Sequence, residues 1–423
     1  MRVAVVGGGG REHALAAALA ASPQVEQVFA VPGNPGSGAV ASNVAGIDPL
    51  DGKALADWAG SEQIDLVVVG PEAPLVAGVA DVLADEGHAV FGPTAAAATI
   101  EGSKSFAKQV MAAAGVPTAR AEVFTDPATA TKALDDFGPP WVVKADGLAA
   151  GKGVTVTSDP AVARAAVQAA LVDRVHGAAG AEILLEEHLS GPEASLFAVS
   201  DGRGVVPLAP ARDYKRVGDG DRGPNTGGMG AYSPLPDLAD GEVERIRTAV
   251  LEPVVAELAR RGTPYRGLLY AGLVLTADGP KVLEFNCRFG DPETQALLPR
   301  LRGDLAGLLA AAARGDLAGA SVRWDQRACV TVVLASGGYP GPYRSGLPVT
   351  GLEAAAATTG AHLYHAGTAL DAGGQVVTAG GRVLAVSALG DGLPAARALA
   401  YEAAALVRFD RAHYRRDIAA TTG

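Results

Sequence analysis

The sequence predicts a multidomain fold of the α/β and α+β classes: a doubly wound parallel-sheet domain, a small α+β unit inserted in a central antiparallel-sheet domain, and a final α+β domain. Three observations predict it. At 423 residues the chain is too long for one ordinary core, given roughly 100 to 200 residues per domain. Over the first hundred residues short β-rich runs alternate with alanine-rich helical stretches, the pattern of a parallel sheet covered on both faces. Beyond residue 190 longer strands are joined by turn glycines in SDGRG and TADGP, which suit antiparallel hairpins.

The opening strands are RVAVVG at 2–7, QVFAVPG at 27–33, DLVVVGPE at 65–72 and AVFGP at 89–93. Glycine or proline follows each, so the strand ends form a loop-lined crevice, where open α/β sheets bind ligands. Residues 1–100 are expected to form this first domain. A helix in SKSFAKQVMAAAG stops at Gly115 and Pro117. AEVFT, a helix over 127–137, WVVKADG, VTVTS, a helix near 160–172 and AEILLEEHL then compose the small unit, 122–189. The central domain is expected from 101–121 and 190–325, with strands SLFAVS, GVVPLAP, YRGLLYAGLVLT and PKVLEFN and helices over 240–261 and 294–314. The last domain, 326–423, holds strands ACVTVVLAS, HLYHAGT, QVVTAG and RVLAVSA and a helix over 391–407.

Composition narrows the function. Thirty-five basic against 46 acidic residues leave a formal charge of −11, which disfavours a nucleic-acid binder. A small anion is still within reach of a local cation cluster. The apolar run before the first glycines is too short for a signal-peptide core, and no uncharged apolar segment approaches the roughly 18 residues of a membrane helix. Cys287 and Cys329 lack CxxC spacing and cannot build a disulfide framework, which fits a reducing cytoplasm.

Two motifs carry the chemistry. DGLAAGKGV at 146–154 surrounds Lys152 with Gly147, Gly151 and Gly153, and Lys144 lies on the strand before it. It lacks the Gly-Lys-Ser/Thr of a Walker loop; between two strands it makes a hairpin flap whose amides and lysine fold over the phosphates of ATP. Lys144, flanked by Val142 and Val143, needs an anionic partner if it points inward. EFNCRFGDPE at 284–293 places Glu284 and Asn286 two apart on a strand, hence on one side, where they offer hard oxygens to Mg²⁺, or Mn²⁺ in its place. Arg288 continues that face and can clamp a carboxylate, while Cys287 points away and reads as packing.

Weaker signals surround these. GGGGREHA at 7–14 closes a strand and opens a helix, so Gly9, Gly10 and Arg11 can meet a phosphate. A dinucleotide fingerprint fails, because Glu12 stands at the third glycine position and no acidic residue ends the second strand. Glu186, Glu187 and Leu189 follow the flap as the strand that offers its backbone to an adenine, with Glu193 a ribose candidate. KRVGDGDRGPNTGGMGAYSP at 215–234 reads as a long loop without regular period, and Asp213, Lys215, Asn225, Thr226 and the glycines from Gly227 are its substrate candidates. No histidine shows metal-ligand spacing.

These residues, with PGNPG, VGPEAPLV, EGSK, LYAGL, GGYPG, HAGT and GGRVL, resemble the glycinamide ribonucleotide synthetases of the ATP-grasp superfamily along the whole chain. The resemblance implies an ATP-grasp fold and an ATP-dependent joining of glycine to 5-phosphoribosylamine in purine synthesis, by a cytoplasmic monomer. It implies further that Lys104, Lys144 and the backbone at 186–189 hold ATP with Glu193 on its ribose, and that Glu284 and Asn286 hold magnesium. Arg288 and Asp213 would orient glycine, and Gly9, Gly10 and the Glu72 loop would face phosphoribosylamine. Two departures stand out: Gly8 where the pattern has Asn, and Arg212-Asp213-Tyr214-Lys215 where it has Gln-Asp-His-Lys. Another carboxylate-amine ligase of the superfamily, a nicotinamide dehydrogenase and a noncatalytic ATP sensor are the alternatives to that reading.

Overall fold

The computed structural model describes residues 1–147, 153–175 and 177–420. Strands Ser42–Asn43, Gln27–Pro32, Arg2–Gly7, Leu66–Val69 and Val90–Phe91 form one parallel sheet in that order. The chain starts at its centre, builds one side, then crosses to the other. Its direction reverses between Arg2–Gly7 and Leu66–Val69, so the crevice at their C-terminal ends lies between the glycines at 7–10 and the turn entering helix Glu72–Val76.

The small unit is a four-stranded antiparallel sheet, ordered Ala121–Phe124, Ile183–Glu186, Trp141–Ala145, Val154–Thr157. Helices Pro127–Phe137 and Pro160–Leu171 cover one face, and each starts with an Asp cap followed by proline, the pairing that satisfies the first amides and presets the first helical φ. Trp141, Val143, Ile183 and Leu185 pack with those helices in an apolar cluster confined to this unit. Strand alternation therefore turns Val142, Lys144, Leu184 and Glu186 to the opposite face.

The central sheet is antiparallel, ordered Val205–Pro207, Glu193–Asp201, Arg266–Thr276, Gly279–Asn286, and both glycine turns close hairpins in it. Its core is continuous with the N-terminal sheet: Val69 and Leu75 join one cluster with Leu269 and Phe285. The expected helix over 240–261 is helix Glu242–Ile246, a π turn Arg247–Leu251 and helix Glu252–Arg260. The expected helix over 294–314 is two helices, Glu293–Leu297 and Leu305–Arg314, because Pro299 and Gly303 interrupt it and Asp304 caps a new start.

A five-stranded antiparallel sheet, Arg212–Asp213, Gly230–Ser233, Ala328–Ala335, Arg382–Gly390, Ala361–His365, is covered by helix Leu393–Leu406. Two of its strands thus come from the stretch expected in the central domain, and one of them, Gly230–Ser233, lies within the segment expected to be a loop. Between them Arg216–Gly218 and Arg222–Asn225 pair as a hairpin with a register shift, correcting the reading of 215–234 as irregular. Its polar strands carry no hydrophobic period, so the pairing left no trace in the pattern.

Candidate active site

Strand Gly279–Asn286 and its continuation are the spine of the site. Along 284–289 partly exposed Glu284, Asn286 and Arg288 alternate with buried Phe285, Cys287 and Phe289, so period-two alternation puts the three polar side chains on one side while the apolar ones enter the core. Burial pushes the Cys287 thiol well up, which leaves it inert.

On one flank lies a lysine cluster. Lys144 and Glu186 face each other 2.9 Å apart on adjacent strands, and Lys144 Nζ also donates to the Leu283 carbonyl at 3.2 Å. Glu186 is nearly inaccessible, so its carboxylate requires this cation. Lys108, which sequence reasoning missed, approaches Glu186 at 3.6 Å and donates to Thr118 and Ala119. Burial, against the pull of Glu186, lowers Lys108 to about 8. Lys104 opens helix Lys104–Ala114, and Nζ donates to the Gly147 carbonyl at 2.9 Å. Burial lowers its pKa against the charges of Glu284, Asp146 and Glu186. Asp146, also missed, accepts from the Lys104 and Ser105 amides and so ties the flap's first residue to that helix start. Gly153 closes the flap by accepting from the Ala145 amide at 2.8 Å. Gly151 and Lys152 lie outside the described residues. Glu187 accepts from the Arg120 amide at 3.0 Å, and Leu189 is partly exposed just beyond.

On the other flank Lys215 bridges Glu193 at 2.6 Å and Asp213 at 3.2 Å. Burial works to lower Lys215, but Asp213, Glu193, Tyr270 and Glu284 raise it well above the ordinary lysine value, so it is cationic. Lys215 in turn holds the Glu193 carboxyl below its usual range. Next to this pair Tyr270 donates to Glu293 at 2.7 Å and shares a 2.8 Å hydrogen bond with Ser195. Burial, then Asp213, pushes Glu293 up to about 7. Thr226 spends its hydroxyl on the Lys215 carbonyl, and Asn225 pairs with Arg216 in the hairpin. Arg382, also missed, donates to the Gly227 carbonyl and pairs with Asp291 at 3.0 Å.

The third flank is the crevice of the first sheet. Arg288 pairs with Glu72 at 3.1 Å and Glu101 at 3.3 Å, and donates to Asn286 Oδ1 at 3.3 Å. Arg11 is buried, donating to Glu12 at 2.5 Å and to the Phe289 carbonyl at 3.1 Å, so protein acceptors engage it. Gly9 caps helix Gly10–Ala20 and donates to Glu12 at 2.8 Å. A side chain at Gly10 would meet Gln295, and one at Gly8 would put its Cβ 2.7 Å from the Gly33 carbonyl oxygen, which gives a packing reason for glycine in place of asparagine. Asn34 of PGNPG holds this loop by donating to the Gly8 carbonyl at 2.9 Å and to that of His365 at 2.8 Å. Among the described residues Glu284, Asn286 and Arg288 thus share one side of a strand flanked by the Lys144–Glu186 cluster, by Lys215 with Asp213 and Glu193, and by Glu72 and Glu101 beside Arg288.

A model of the phosphoribosylglycinamide synthetase N domain matches residues 1–101, one of that family's ATP-grasp domain matches 102–294, and one of its C domain matches 329–421. A phosphoribosylamine-glycine ligase of Streptomyces coelicolor is 55% identical over 423 residues, covering 99% of each chain. One from Mycobacterium leprae is 51% identical over 424 residues, covering 99% of this chain and 97% of its own. The crystal structure of the Thermotoga maritima phosphoribosylamine-glycine ligase superposes with a TM-score of 0.84 at 33% identity, covering 99% of this chain and all of that one. The biotin carboxylase domain of a Hydrogenobacter thermophilus 2-oxoglutarate carboxylase, at 17% identity and a TM-score of 0.73, shares the fold. Matched in all three parts and over its full length, the chain belongs to the phosphoribosylglycinamide synthetase family of ATP-grasp enzymes.

Proposed function

We infer that the protein joins glycine to 5-phosphoribosylamine, converting ATP to ADP and phosphate and yielding glycinamide ribonucleotide for de novo purine synthesis. The observation that carries this reading is the convergence on strand Gly279–Asn286 of the lysine cluster with the Asp213, Lys215 and Arg288 flanks. In this reading Lys104, Lys144 and the backbone beyond Glu186 hold ATP, with Lys152 and Gly151 on its phosphates. The glycine carboxylate attacks the γ-phosphorus in line, ADP leaves, and glycyl phosphate forms. The amine of phosphoribosylamine then attacks the acyl carbon, phosphate departs and the amine gives up a proton. Lys104, Lys144 and Lys215 offset charge that develops on the transferring group. Arg288 orients the glycine carboxylate and Asp213 its ammonium, while the Gly9, Gly10 and Glu72 crevice takes the phosphorylated sugar.

The enzyme uses ATP with a divalent metal. Glu284 and Asn286 fit the role: both are oxygen donors on one side of a strand, and among the described residues no cluster of three His, Cys, Asp or Glu competes as a metal cage. Such hard oxygen donors would suit Mg²⁺ first and Mn²⁺ second. When bound, the ion would neutralise β- and γ-phosphate charge. Among the described residues no helix is long and apolar enough to cross a membrane, and together with two buried thiols this supports a cytoplasmic enzyme, which we propose acts as a monomer without a nucleic-acid partner. ADP release that requires both glycine and fresh phosphoribosylamine, with glycinamide ribonucleotide found by mass, is the expected result. Release with another acid or amine instead would move the substrate assignment.

A further inference from the structure

We propose that the C-terminal tail, residues 415–419, is a positioning clamp for the substrate segment 213–227, and that Tyr214 is the residue through which it acts. The proposal rests on the reading of Asp213, Lys215, Asn225 and Thr226 as substrate contacts. That hairpin has little to hold it in place by itself: its two short strands form a separate two-stranded sheet, and Asp219 to Pro224 are exposed. A lone hairpin is marginal in water, so its geometry must come from elsewhere.

It comes from the tail. The Ala419 amide donates to the Tyr214 hydroxyl at 2.9 Å, and the Arg415 guanidinium lies 4.7 Å from the centre of the Tyr214 ring. Arg415 is 1% exposed and fully engaged: it donates to Asp417, to Asp221 at 2.7 Å and to the Arg216 carbonyl at 3.1 Å. The Gly220 amide donates to Asp417 at 2.8 Å and the Arg416 amide to Asp219 at 2.7 Å. The tail is itself anchored to helix Leu393–Leu406, since Tyr401 donates to the Arg415 carbonyl at 2.7 Å and Arg397 donates to those of Arg416 and Ile418. A hairpin ordered before substrate arrives removes an ordering cost that binding would otherwise carry. Tyr214 sits between Asp213 and Lys215, so its anchoring fixes both.

The test uses the full-length enzyme with Tyr214→Phe, which removes only the hydroxyl, and Asp219→Ala, an exposed position outside the substrate contacts. Each is expected to raise the KM for glycine or phosphoribosylamine by about three- to tenfold, the size of one hydrogen bond. The KM for ATP and the melting temperature are expected to stay near wild type. Unchanged constants in both variants, or an equal rise in the KM for ATP, would overturn the clamp. A wild-type enzyme that releases no ADP with glycine and phosphoribosylamine would overturn the functional reading instead.

Discussion

Lys144 and Glu186 face each other at 2.9 Å on adjacent strands, both side chains less than a tenth exposed, at the base of a unit whose apolar core is its own. The Lys144 bond to the Leu283 carbonyl fastens that unit to the central sheet, and the ion pair within the unit holds the lysine in place. Lys144→Met leaves Glu186 with Lys108 alone, at 3.6 Å. A loss of about 3 kcal/mol in urea unfolding is expected, with a rise in the KM for ATP of tenfold or more. Wild-type ATP affinity in a destabilised variant would assign the pair to folding only.

Glu284 carries the metal assignment. Glu284→Ala is expected to lower ADP formation by at least a hundredfold while circular dichroism and melting temperature stay unchanged. Chelation of wild-type enzyme should give the same loss, restored by Mg²⁺ and to a smaller extent by Mn²⁺. Near-normal turnover of Glu284→Ala would remove Glu284 from the metal site.

The first and last domains meet through two neutral imidazoles. His13 Nδ1 accepts from the His365 amide at 2.9 Å, and His365 shares a hydrogen bond with Thr368 at 3.1 Å. Burial, then His365, pushes His13 down to about 3; burial pushes His365 down to about 4. The unfolded chain takes up both protons as pH falls through about 6.5, whereas the folded protein stays neutral until those lower values. Stability present above pH 6.5 is therefore lost as pH falls towards 3, by roughly 3 kcal/mol or more in total. His13→Gln should flatten the fall in melting temperature between pH 6.5 and 4.5; an unaltered slope would acquit the pair.

Glu293 has the opposite sign. Its folded value is raised to about 7 from 4.5, so the folded state holds a proton that the unfolded state has released in that window. Its contribution to stability falls as pH rises from 4.5 to 7, and the full penalty remains above. Glu293→Gln keeps an acceptor for Tyr270 and should be more stable than wild type by about 1 to 3 kcal/mol at pH 8, with the difference vanishing near pH 4. A variant equally affected at both pH values would contradict a buried, half-protonated carboxyl.

Gly8 gives a steric prediction. Gly8→Asn brings Cβ to 2.7 Å from the Gly33 carbonyl oxygen unless that turn shifts. We expect a loss of about 1 to 2 kcal/mol and a raised KM for phosphoribosylamine, with the KM for ATP untouched. Unchanged melting temperature and KM would show that the turn yields freely.

Much of the fold was legible because it is written in local pattern. Alternating strands and helices, the glycine-turn hairpins and the same-side placement of Glu284, Asn286 and Arg288 follow from periods of 2 and 3.6 and from turn chemistry. The sequence alone also required that an inward-pointing Lys144 meet an anion. It did not say which. Glu186, Lys108's approach to it, the Tyr270 to Glu293 contact and the engagement of Arg11 by Glu12 and Phe289 were decided by tertiary structure. So were the strands that 212–213 and 230–233 lend to the last sheet, the Asn34 bond to a carbonyl 331 residues away and the Tyr214 bond across 205 residues. The physical reason is separation. A periodic pattern states which side of an element is buried, but which distant polar group lies opposite is settled only when sheets pack and each buried donor or charge must find its partner.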